Sequence, residues 1–179
     1  MEKTKVQQAD LCRCWFNTWW IGVNKANGPE KLAKVDFYVL PEHGKREHFA
    51  CALIHKVWKQ GNNIYINMCS GPATEAFDDL LWTFKDISFL PHCLSAEDNT
   101  KTAPIVIGHD IQTDSQMPDD THIVLNLADQ ILPELTGVER ILEIVAGNED
   151  ERQQARRRYA DYRNHGHVLN KHTIESSYG

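Results

Sequence analysis

From Val35 onward the chain alternates between two hydrophobic rhythms. Short runs rich in β-formers read as strands at residues 35–40, 63–68, 105–107, 122–127 and 138–145. Between the first two, residues 45–59 place Phe49, Leu53 and Val57 on one helical face, with Gly61 as the stop. Ser70, Gly71 and Pro72 open another helix, whose inner face is Phe77, Leu80, Leu81 and Phe84. Proline suits a first helical turn, where its missing N–H would have no partner. Strand–helix–strand–helix order predicts an α/β domain with a parallel sheet. Residues 87–94 are a short apolar passage broken by Pro91, and residues 95–103 a polar loop. Pro133 is expected to start a short helix, and the tail, 167–179, to add an irregular or edge segment.

Residues 1–33 keep neither rhythm. Trp15, Phe16, Trp19, Trp20 and Ile21 crowd together before the polar run from Asn24 to Pro29. A docking appendage, a binding arm and residues upstream of the true start all fit this pattern. The expectation is a weakly ordered extension, 1–33, outside a core domain at 34–179.

The stretch 148–166 carries the most unusual pattern. Asn148 can cap a helix, with Glu151 three residues on as in a capping box. Acids fill the first turn, arginines follow, and Gly166 lies past the end, an order that complements the helix dipole. At about 100° per residue, Arg152, Arg156 and Arg163 form one stripe. Ala155 and Tyr162 form an apolar stripe beside it, with Tyr159 on the border. Arg157 and Arg158 have Asp161 at helical spacing and read as exposed salt bridges. Arg156 has Arg152 and Ala160 as its i−4 and i+4 neighbours, so it is a candidate for an external anion.

Composition narrows the classes. A net charge of −6 over 179 residues opposes a whole-protein grip on nucleic acid, though a local basic patch is allowed. No run of about 18 apolar residues predicts a membrane span. The N-terminus lacks the apolar core of a secretory signal, so a cytoplasmic location is expected. Five cysteines without a C-x-x-C are expected to be free thiols. Neither G-x-G-x-x-G nor a P-loop is present, nor is a G-x-S-x-G elbow. The nine histidines lack zinc-ligand spacing. A noncatalytic role without cofactor or metal is the expectation.

Three blocks bear a family resemblance. The run 155–170 (Ala-Arg-Arg-Arg-Tyr-Ala-Asp-Tyr-Arg-Asn-His-Gly-His-Val-Leu-Asn) resembles the C-terminus of the chi subunit of bacterial DNA polymerase III. So do Phe77-Asp78-Asp79-Leu80-Leu81-Trp82 with Ser88-Phe89-Leu90-Pro91-His92-Cys93-Leu94, and the first strand from Asp36 to Leu40. The resemblance implies a Rossmann-like three-layer domain with a largely parallel central sheet that uses no nucleotide. It implies an accessory clamp-loader subunit that pairs with the psi subunit. Its other surface would bind the acidic, Phe-terminated C-terminal tail of single-stranded-DNA-binding protein, and so meet DNA indirectly. Arg156 falls on the tail-anchoring position, with Tyr159 beside it and Arg152 on another basic position. Trp82, Phe89 and Val145 match apolar positions, implying one slot of Trp82, Phe89, Val145 and Tyr159 for the terminal Phe. Ala160 stands where the family can carry a lysine, and His167 where a larger aromatic is expected. Residues 1–33 have no counterpart. The alternatives are a direct single-stranded nucleic-acid binder and a Rossmann-like enzyme with an unrecognised site.

Overall fold

The computed structural model describes residues 32–84, 89–97, 103–113 and 116–175. Expectations for the aromatic cluster near Trp15, and for Cys12 and Cys14, lie outside the described residues. Within them the elements run β1 (Lys34–Val39), α1 (Arg46–Lys59), β2 (Ile64–Met68), α2 (Gly71–Thr83) and β3 (His92–Leu94). Then come β4 (Ile105–His109), β5 (Ile123–Asn126), β6 (Arg140–Val145), α3 (Glu149–Asn164) and β7 (Val168–Thr173). The strands form one sheet in the order β3-β4-β2-β5-β6-β1-β7, and every pairing is parallel. The expected Rossmann-like three-layer architecture is therefore present.

Helices cover both faces of the sheet. On one, Phe49 and Ile54 of α1 and Phe77 and Leu81 of α2 pack on Ile66, Ile107, Leu125 and Ile144. On the other, Ala155 and Tyr162 of α3 pack with Phe37, Val124, Ile141 and Val145. Burial on both sides explains why all five residues of β2 are buried, without an exposed alternate set. Local signals set the helix ends as the sequence suggests. The Ser70 hydroxyl accepts from the Ala73 N–H, and the Asn148 side chain accepts from the Glu151 N–H at 2.8 Å. Gly61 and Gly166 follow α1 and α3 at φ +80° and +85°, a region that suits glycine.

Two expectations are corrected or sharpened. Pro133 starts no helix. Residues 131–135 are irregular, and Leu132 is buried against the α3-side core, its N–H donating to the Tyr162 hydroxyl at 3.1 Å. Only five residues separate Ile131 from Gly137, which turns at φ +83°, so docking on the sheet takes precedence over a helical turn. The passage broken by Pro91 and the polar tail become the two edge strands, β3 and β7. Pro91 precedes β3 directly, where no ladder N–H is required of it.

β7 is tied to the sheet by a buried acid as well as by backbone pairing. Asp36 in β1 accepts hydrogen bonds from Arg140 of β6 and from Asn170 and His172 of β7, the latter two at 2.9 and 3.0 Å. Burial opposes ionisation of Asp36. The hydrogen bonds from His172, Arg140 and Asn170 and the Arg140 charge outweigh it, holding the carboxyl below its ordinary range. A lowered folded-state pKa gives stability that is complete above the unfolded value near 4 and is lost as pH falls through the folded value. Asp36→Asn should therefore cost about 1–3 kcal/mol near pH 7. In chemical denaturation of the two proteins between pH 7 and pH 2, the gap should close at the acid end. A gap that stays constant would mean that the Asp36 charge contributes nothing.

Candidate protein-docking sites

α3 divides its arginines between three environments. Ala155 and Tyr162 set the line that faces the sheet. Tyr159 lies half-buried at its edge, with its ring 5.2 Å from Phe37, and Val145 is buried in the same cluster. Beyond Tyr159 lie Arg152, Arg156 and Arg163. Arg163 is exposed. Arg152 is half-buried, with no ion-pair partner among the described residues and an unpaired, buried Nε. Arg156 is 68 % exposed, but it is not unpaired: its Nη1 meets Glu149 Oε1 at 2.8 Å. The partner sits two turns back, outside the i−4 and i+4 neighbours that the spacing considered.

The expectation that Arg157 and Arg158 are both surface salt-bridge residues is also corrected. Arg157 is exposed and makes no ion pair with Asp161. Arg158 is only 3 % exposed and turns inward, its Nε 3.1 Å from Glu143 Oε2. Glu143 Oε1 accepts from the Tyr162 hydroxyl at 3.0 Å and from Asn126 Nδ2 at 2.7 Å, and Asn67 donates to Asn126 at 3.0 Å. Register explains the row: Asn67 lies opposite Asn126, and Asn126 opposite Glu143. Burial raises the Glu143 carboxyl, against Arg158, Asn126 and Tyr162. The network fixes α3 to the sheet and leaves Arg156 and Tyr159 on the outer flank.

The other flank of α3 borders a cavity of about 610 Å³ lined by Asn67, Asp110, Asp129, Glu134, Tyr162 and His165, among others. No lysine or arginine lines it. Its three carboxylates disfavour an acidic ligand there.

Trp82 and Phe89 belong elsewhere. Trp82 projects from α2, which lies over β2, β3 and β4, whereas α3 lies over β6 and β7 on the opposite face. β4 and β1 are four strand spacings apart, about 20 Å. A single slot of Trp82, Phe89, Val145 and Tyr159 is therefore not formed, because the sheet stands between its halves. Val145 and Tyr159 come together. Trp82 and Phe89 make their own patch, 53 % and 66 % exposed, with rings 5.3 Å apart. His92 backs Trp82 at 4.7 Å, and its ring is held by the Leu90 carbonyl at 2.6 Å, with Asp78 lying 3.2 Å from Nε2. Two large exposed aromatics held in contact form a candidate docking surface. Sequence spacing could not reveal this division, since periodicity does not tell which face a helix covers.

The point between β1 and β6 where an open α/β sheet usually takes a ligand is closely packed at its turns. β1 and β6 are neighbours, and their following helices leave to opposite faces, the arrangement that opens such crevices. Here the Gly147 backbone packs directly on the Pro41 carbonyl and the Glu42 Cα, too close for any Cβ. Among the described residues, no group of three or more His, Cys, Asp or Glu side chains could hold a metal. No helix there is long and apolar enough to cross a membrane. Cys51, Cys69 and Cys93 are free thiols, and burial pushes Cys51 up to about 12.

The model of the DNA polymerase III chi subunit family, HolC, matches residues 32–170, the span that holds both surfaces. A protein of Pseudomonas aeruginosa named DNA polymerase III subunit chi is 30 % identical over 147 residues, 80 % of this chain and 98 % of the relative. Proteins of the same name from Haemophilus influenzae and Escherichia coli are 28 % and 27 % identical. These matches cover 77 % and 71 % of this chain, and 95 % and 84 % of the relatives. With this match spanning the whole sheet but the end of β7, the chain belongs to the DNA polymerase III chi subunit family.

Proposed function

We propose that the chain is a noncatalytic bridge in the replication machinery, with two docking surfaces on opposite faces of one sheet. The outer flank of α3 takes the acidic, Phe-terminated tail of single-stranded-DNA-binding protein. Arg156, helped by Arg152, receives carboxylates, and Tyr159 supplies an aromatic wall for the terminal ring. The Trp82–Phe89 patch takes the psi subunit, which ties the chain to the clamp loader. Contact with DNA is then indirect, and the location is the cytoplasmic replisome. The observation that carries this reading is the flank itself: an exposed guanidinium beside a half-buried tyrosine, on a helix anchored from below by Arg158. The close packing of Gly147 on Pro41 and Glu42 speaks against the reading as a nucleotide-using enzyme.

Titration of the full chain with an acidic peptide ending in Phe, and separately with single-stranded DNA, tests the proposal. The peptide should bind, more weakly as salt rises, and DNA should not compete. Tight, steeply salt-dependent DNA binding without peptide binding would establish the direct nucleic-acid reading instead.

A further inference from the structure

The guanidinium proposed to receive the tail already holds a carboxylate. Arg156 Nη1 lies 2.8 Å from Glu149 Oε1, and the two side chains are 68 % and 70 % exposed. Glu149 is the first residue of α3 and Arg156 lies seven residues on, so the pair spans two turns along the outer surface. We propose that Glu149 is a specificity-determining residue that occupies Arg156 in the free protein and must be displaced by an incoming carboxylate. The inference rests on the tail-binding function proposed above.

The chemistry of the exchange is balanced. One carboxylate leaves a guanidinium fork and another enters, with no change in the charge of the fork. An exposed pair of this kind is weak, worth about 0–1 kcal/mol, so Glu149 filters ligands without closing the site. A ligand with a single carboxylate gains little over the internal partner. A tail that adds further acids and a terminal aromatic ring gains contacts that Glu149 cannot supply, at Arg152 and Tyr159. The internal partner thus favours a multiply acidic, Phe-terminated ligand over simple carboxylates. Glu149 also lies at the positive end of the α3 dipole, so its release leaves the carboxylate near a favourable field.

The test is a double-mutant cycle in the full chain, read by the Kd of the same acidic, Phe-terminated peptide. Glu149→Gln should tighten binding by about two- to fivefold, since the competing state is removed. In the Arg156→Ala background the same replacement should have at most half that effect in logarithmic terms. Glu149→Asp keeps the charge but shortens the reach by one methylene, and it should tighten binding as Gln does. An unchanged or weakened Kd in Glu149→Gln, with the wild type binding and Arg156→Ala binding roughly tenfold or more weakly, would overturn the inference and leave the tail site intact. An equal gain with and without Arg156 would also overturn it, since the effect would then be general repulsion. Absence of peptide binding by the wild type would overturn the proposed function and this inference together. Both residues are exposed, and thermal unfolding of each variant verifies that the fold is retained.

Discussion

Arg158→Ala should cost about 3–5 kcal/mol of folding stability, the largest effect expected of any arginine on α3. Arg158 is almost wholly buried, and Glu143, its partner, is fully so. Removing the cation strands a carboxylate inside the protein, and the Asn126 and Tyr162 hydrogen bonds are then left to hold it alone. The cost is the exposed fault and not the worth of the pair. Replacing Glu143 and Arg158 together by methionine should therefore recover much of the loss. Arg157→Ala, one residue away and exposed, should change stability by no more than about 0.5 kcal/mol. Urea midpoints for the four proteins check all of this. Equal midpoints for Arg157→Ala and Arg158→Ala would show that the buried pair does not hold α3 to the sheet.

Arg156→Ala should weaken binding of the acidic peptide by roughly 10- to 100-fold, the range of a hydrogen-bonded charge contact, while leaving the urea midpoint near that of the wild type. The two expectations diverge because neighbouring arginines face different surroundings. Arg156 loses only an exposed pair with Glu149, of small worth in the folded state. In the proposed function its value appears only when a ligand carboxylate comes to the fork while Tyr159 covers the terminal ring. Calorimetric titration measures the loss. An unchanged Kd would remove Arg156 from the site.

The contrast shows what the sequence could carry. The helix bounds of α1, α2 and α3 were legible from caps, glycines and 3.6-residue spacing, because those signals are local. The parallel sheet was legible in kind, since strand–helix–strand–helix order calls for parallel neighbours. The roles of Arg157 and Arg158 were not legible. Both have Asp161 at helical spacing, and only the sheet's register, which brings Glu143 beneath α3, decides between them. The Glu149–Arg156 pair escaped for a related reason: long side chains can join across two turns, beyond the usual i+4 neighbour. The split of Trp82 and Phe89 from Tyr159 needed the strand order, because shared apolar character does not say on which side of a sheet a residue lies. β7 was legible only as an irregular or edge segment, because a polar edge strand has little hydrophobic signature; its hold comes from Asp36, Asn170 and His172.

The central claim is that two docking surfaces lie on opposite faces of the sheet. It is tested most directly by titrating one acidic, Phe-terminated peptide into wild type, Arg156→Ala and Trp82→Ala. Trp82 is more than half exposed, so its replacement should leave the fold intact. The account predicts a Kd for Trp82→Ala within about twofold of wild type, and a loss of roughly tenfold or more for Arg156→Ala. Equal losses in the two variants would contradict it, placing Trp82 and Arg156 in one site.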